Sequence, residues 1–174
     1  MIPALLAPAP ASALTTLVQF VEPWSRLYAD SKVVATLVEF GHIAALLFAG
    51  GLAVTLDRTT LRVASDAGTR ARHLEVLASS HLVVVGGLTL SFATGILLFA
   101  ADLETYVVSW VFWTKMVLVL LLLANGYGIT RAETALRAGG AEDAGWRQLI
   151  RTAWASLVLW FTIALAGVTL VNAA

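Results

Sequence analysis

Cysteine is absent from the 174-residue chain, which excludes disulfide bonds and thiolate metal centres and removes any redox signature of compartment. Charge is scarce and balanced, with 11 Lys+Arg against 11 Asp+Glu, so nothing draws the whole chain to nucleic acid. There is no serine-nucleophile elbow, no phosphate-binding glycine loop, no His-Glu-x-x-His and no repeat of fixed period. The common hydrolase, nucleotide-binding and zinc-protease chemistries therefore have no foothold. What the chain has in abundance is hydrocarbon: 59% of its residues are hydrophobic and the mean hydropathy is +0.85. That is the composition of a membrane protein, not of a water-soluble globule.

A helix needs about 20 mostly apolar residues to cross the hydrocarbon core. Four stretches qualify, 33–56, 74–100, 107–129 and 149–171, which predicts an all-α, polytopic four-transmembrane-helix bundle over residues 32–174. The first connection carries Arg58, Arg62, Arg70 and Arg72, and the third carries Arg131, Arg137 and Arg147, with Arg151 just inside the fourth span. The second, "ADLETY", has Asp102 and Glu104 and no cation. By the positive-inside rule the arginine-rich connections are cytoplasmic and both termini face outward. The second connection is short enough to predict a tight hairpin between spans two and three.

Residues 1–31 are expected to form a tail and an interfacial helix. The opening "MIPALLAPAPASA" has small residues of the kind found at signal cleavage sites but lacks a positive n-region, so it reads as a mature, frayed terminus. After it, Leu14, Leu17, Val18, Val21, Trp24 and Tyr28 recur at helical spacing, with Glu22, Arg26 and Asp30 off that stripe. An amphipathic helix of this kind lies in the interface plane, here on the outer leaflet. Pro23 is expected to start or kink it.

An ionisable side chain within a span costs on the order of 3 kcal/mol, so each one needs a partner or a purpose. Glu39 and His42 stand three residues apart on the first span and so share a face. That stripe continues through Ala45, Ala49 and Ala53, with Phe40, Ile43 and Leu47 opposite. Small residues line helix contacts, so the polar pair is predicted to look into the bundle. On the third span, Lys115 continues through Leu118, Leu122 and Gly126, with Asn125 beside them. Counting about 1.5 Å of rise per residue places Lys115 at the depth of His42. The reading is an outer-half cluster of Glu39, His42 and Lys115.

Two chemistries account for such a cluster. A carboxylate and an ammonium can neutralise one another, with the imidazole completing the hydrogen bonds, and so fix how helices meet. Alternatively the imidazole ligates a haem iron or other metal, the carboxylate orients it or accepts a proton, and the lysine binds an anionic group such as a propionate. A second Glu-x-x-His copy is missing, which argues against a di-iron carboxylate centre.

His81, on the second span, lies about 10 Å or more from the level of His42 by helical rise, which argues against both ligating one iron. It faces a cavity or another subunit, or it is a structural histidine bonded to a backbone carbonyl. His73, among arginines at the inner surface, is expected to be solvated. Gly50-Gly51 and Gly86-Gly87 read as points of close backbone approach, and Gly139-Gly140 as helix-ending punctuation. Of the six tryptophans, Trp24, Trp110, Trp113 and Trp146 suit interfacial belts, whereas Trp154 and Trp160 are expected to pack.

The ordered set "VEFGH…GG…LDRTTLR", "TLSFATGILLFAADLETY" and "FWTKMVLVLLLLANGYG" resembles poorly characterised four-span bacterial inner-membrane families similar to the CopD copper-resistance domain and to HemJ-type protoporphyrinogen oxidases. The resemblance covers roughly residues 12–130. In HemJ-like proteins a first-span histidine and a third-span lysine are associated with b-type haem, and His42 and Lys115 occupy those positions. Those proteins continue with a tyrosine-histidine pair where this chain has "ANGYGI", with Tyr127 and no histidine. The CopD side of the resemblance implies copper handling. Taken together, the expectation is a small, multi-pass inner-membrane protein that binds haem b or is redox-associated. In it His42 is the metal ligand, and Glu39, Lys115 and His81 are further candidate cofactor-binding residues. The alternatives are an accessory or scaffold subunit of a larger membrane complex, and a copper or small-solute transporter. The expected partners are the lipid bilayer and other membrane subunits or further copies of the chain.

Overall fold

The computed structural model describes residues 13–63 and 67–173, all of them in helices or the short links between them. The opening "MIPALLAPAPAS" lies outside the described residues. Six helices follow in order: α1 (Ala13–Asp30), α2 (Lys32–Val63), α3 (Ala67–Ala101), α4 (Leu103–Val108), α5 (Trp110–Arg137) and α6 (Glu142–Ala173). Four of them, α2, α3, α5 and α6, are long and apolar enough to cross a membrane, so the chain has the build of a multi-pass membrane protein.

Each of the four outruns its apolar stretch at the arginine-bearing end: α2 continues to Val63, α3 begins at Ala67, α5 continues to Arg137 and α6 begins at Glu142. Hydropathy marks where hydrocarbon stops, but the backbone hydrogen-bond ladder carries on past that border wherever packing continues. The link that follows α5 is made by glycine. Gly139 takes a left-handed φ of 78°, and Gly139 and Gly140 donate their amides back to Leu136 and Ala135 at 3.1 and 2.9 Å, closing the helix end.

At the other end the hairpin between α3 and α5 contains α4, a turn and a half of helix with Leu103 buried. Ser109 then caps α5, its hydroxyl accepting from the Phe112 amide at 3.3 Å. Phe99, Tyr106, Phe112 and Trp113 pack ring against ring there at centroid separations of 5.0 to 6.4 Å, and such pairs add to the burial of their area.

The bundle is two tight hairpins, α2 against α3 and α5 against α6, joined chiefly through α2 and α6. The α3/α5 seam is the thinnest. Ala45 and Ala49 on α2 are buried, while Phe40, Ile43 and Leu47 are exposed. The central core gathers Ala49, Leu122, Trp160 and Ile163. A Cβ at Gly87 would come within 2.8 Å of the Ala49 Cβ, and one at Gly50 within 3.0 Å of the Trp160 ring, so these two glycines set the helix spacing. Gly51 and Gly86 face open space.

A second core closes the arginine-rich end around Leu74, Leu77, Ala132, Trp146 and Leu149. Three expectations are corrected here. His73 is not solvated: it is 4% exposed, bonds through Nε2 to the Thr60 hydroxyl at 2.7 Å and stacks on Trp146. Trp146 does not lie in an interfacial belt; it is buried beneath Arg70, whose guanidinium sits 5.1 Å from the ring. Trp154, expected to pack, is exposed, whereas Trp160 is buried.

The α1 helix continues through Pro23 instead of starting there, forgoing one backbone hydrogen bond. It docks against α2 and α3, reaching α3 at the end away from the arginines. Trp24 Nε1 donates to the Leu97 carbonyl at 2.8 Å and the Ser25 hydroxyl to that of Ala101 at 2.7 Å. Leu17, Phe20 and Leu27 of the same helix remain exposed. One residue, Ser31, separates α1 from α2 and caps α2 by accepting from the Val34 amide at 3.4 Å.

Candidate functional site

His42 sits on the α2 face that meets α3. Its Nδ1 lies 2.9 Å from the Ser91 carbonyl and 3.1 Å from the Thr94 hydroxyl. A carbonyl only accepts, so Nδ1 carries the proton, and the neutral ring keeps its free lone pair on Nε2. Thr94 is compatible with this arrangement because its own hydroxyl proton goes to the Leu90 carbonyl at 2.8 Å. Gly95 makes room for the ring, since a Cβ there would approach His42 Cε1 to 3.3 Å. The imidazole is thus held from behind by α3 in one tautomer, with one nitrogen in reserve.

Lys115 projects from α5 toward α6, with Nζ 3.6 Å from where a Gly167 Cβ would stand. It is half-buried and within electrostatic reach of His42. Among the described residues no ion pair engages its ammonium. Asn125, two to three turns further along α5, donates to the Thr152 carbonyl of α6 at 2.9 Å, which clamps the two helices below the lysine.

Glu39 goes elsewhere. Its Oε1 accepts from the Tyr28 hydroxyl of α1 at 2.7 Å, and no ion pair joins it to His42 or Lys115 among the described residues. The structure therefore brings His42 and Lys115 into one neighbourhood and gives Glu39 to the α1 contact. The Tyr28 phenol is pushed well above its ordinary value, first by burial and then by the hydrogen bond to Glu39 and the charges nearby.

His81 lies in a different place, at the cleft between α3 and α5 toward the arginine-rich end. Its Nδ1 is 3.5 Å from the Thr130 hydroxyl. The cleft holds about 340 Å³ and is walled mainly by apolar residues, including Val84, Leu88, Leu122 and Ile129. Its floor carries Asp57 of α2 and Ser156 of α6, with Glu133 of α5 to one side; all three are at most 6% exposed.

Asp57 and Glu133 fall in the arginine-bearing connections when only hydropathy is read. One signal pointed to Asp57. It extends the stripe Ala45, Ala49, Ala53 by one more step of four residues, and so had to face inward if the helix continued. Glu133 had no comparable signal; it is partly compensated by Arg137 at 3.2 Å.

Among the described residues, no three His, Asp or Glu side chains gather into a set that could hold a bare metal ion. Comparison of the chain with family models, with curated proteins and with solved structures gave no match.

Proposed function

We propose that this chain is a small multi-pass protein of the bacterial inner membrane that binds b-type haem, whose iron His42 would hold through Nε2. The observation that carries this reading is the Ser91 carbonyl against His42 Nδ1. Haem- and metal-ligating histidines characteristically donate their second nitrogen to a carbonyl or carboxylate, which fixes the tautomer and raises the basicity of the ligating nitrogen. The donor chemistry fits a single imidazole ligand to a metal already held in a macrocycle, with the Lys115 ammonium available to a propionate. Bound there, the group would supply one-electron chemistry. The chain's part is to hold His42, to offer Lys115 as a counter-charge and to keep the surroundings apolar.

In the same reading α1 lies along the outer interface, its exposed Leu17, Phe20 and Leu27 toward acyl chains, and the arginine-rich end is cytoplasmic. Glu39 supports the site only indirectly, by anchoring α1. His81 serves a separate cleft and not the same iron.

The test is an absorption spectrum of the protein purified in mild detergent. A Soret band present in the parent and absent from a folded His42→Ala variant is the expected result. A colourless, folded protein from cells well supplied with haem would overturn the proposal; if it came with stoichiometric partners, the accessory-subunit reading would replace it.

A further inference from the structure

Asp57 poses a problem that the His42 site does not address. Its side chain belongs to a residue only 5% exposed, the Ser156 hydroxyl is its hydrogen-bonding neighbour, and Oδ2 is buried with no hydrogen-bond partner. It is the one buried side-chain polar atom among the described residues left in that state. An orphaned carboxylate oxygen in apolar surroundings is costly, and buried polar atoms without a partner point to a missing ligand, proton or ion.

The cleft above Asp57 indicates what that ligand is. At about 340 Å³ it falls in the size range of small-molecule sites, which are mostly apolar with a few placed polar groups. Its upper wall is leucine, valine and isoleucine, and the buried Trp160 presents an aromatic surface beside Asp57. The mouth is formed by Val85 on α3 and by Leu123 and Tyr127 on α5, which are 42%, 49% and 71% exposed. It therefore opens sideways along the thin α3/α5 seam, and an apolar molecule could enter from the membrane.

The charges facing the cleft sort into one unpaired acid and compensated neighbours. Asp57 comes from α2; His81, held near Thr130, from α3; and Glu133, paired with Arg137, from α5. From α6 come only Ser156 and Trp160. A bare metal ion would need several oxygen ligands, which these walls do not offer. A cation wrapped in hydrocarbon meets every feature at once: its charge finds the Asp57 carboxylate and the Trp160 ring, and its apolar body fills the rest.

We propose that the α3/α5 cleft is a binding site for a hydrophobic organic cation, with Asp57 as its counter-ion. The site is independent of His42.

The experiment is equilibrium binding of tetraphenylphosphonium to the purified full chain in detergent, with tetraphenylborate, of the same shape and opposite charge, as the control. The parent should bind the cation in preference to the anion. Asp57→Asn should lose roughly tenfold or more in affinity, the scale of one charge-assisted contact, while His42→Ala should bind as the parent does. Val85→Trp, at an exposed position, should block the mouth without touching the charge and lower affinity as well. If Asp57→Asn does not fold, Val85→Trp decides. The proposal falls if the parent shows no preference for the cation, if a folded Asp57→Asn binds it as the parent does, or if Val85→Trp leaves binding unchanged.

Discussion

Tyr28 on α1 and Glu39 on α2 are joined by a 2.7 Å hydrogen bond, and this contact, not an ion pair inside the bundle, is where the outermost span carboxylate is satisfied. Because burial first, and then the bond to Glu39, hold the phenol in its protonated form, the Tyr28 pKa in the folded protein lies above the ordinary 10.0. As pH rises past that ordinary value the unfolded chain loses its phenolic proton first, so the folded state binds more protons and stability falls with pH. The contribution is complete below about pH 10 and is lost above it. An alkaline titration followed by tyrosinate absorbance should show a late-titrating phenol that Tyr28→Phe removes. Tyr106, raised chiefly by burial, should also titrate late.

Gly86 and Gly87 are neighbours with opposite prospects. Alanine at Gly87 would drive its Cβ into that of Ala49, whereas Gly86 faces open space. Gly87→Ala is expected to cost about 1–3 kcal/mol by forcing α2 and α3 apart. Gly86→Ala should be neutral or stabilising by up to about 1 kcal/mol, since alanine is the better helix residue. Thermal unfolding of the two variants in the same detergent separates them.

The arginine-rich end is locked by a buried histidine. Thr60→Val removes the hydroxyl that meets His73 Nε2, leaving a buried ring nitrogen unsatisfied at a cost of about 1–3 kcal/mol. Trp146→Ala, which empties the stack beneath Arg70 and the core around Leu149, should cost more, about 3–5 kcal/mol. Urea or thermal unfolding would check the order; equal, negligible effects would show that this end contributes little to the fold.

The absence of native cysteine allows topology to be read directly. Asp102→Cys and Ala141→Cys place single thiols at exposed positions on opposite ends of the bundle. In intact cells whose outer barrier passes the reagent, a membrane-impermeant maleimide should label the first and spare the second; the reverse pattern would turn the protein over.

Much of the architecture was legible without coordinates. Four apolar stretches separated by charged ones dictate four long helices, because every backbone amide in hydrocarbon must be bonded within its own segment. The side of α2 that packs was also readable, since small residues at a helical period mark where backbones approach. Composition and periodicity are properties of the chain itself, and they settled the helical class and the number of long apolar helices, but not the short α4 in the hairpin.

Other matters were decided by tertiary structure alone. Helix α1 took Glu39 out of the inferred cluster because Tyr28, eleven residues earlier, reaches it across the link at Ser31. His73 and Glu133 look solvent-bound beside arginines, yet packing of α6 over α2 and α3 buries the first and the long run of α5 buries the second. Asp57 reads as the first residue of a loop until helix α2 carries it beneath a cleft. A side chain's neighbours along the sequence set its depth and its face, but which groups meet it there depends on how separate helices dock, and that is a long-range property no local pattern contains.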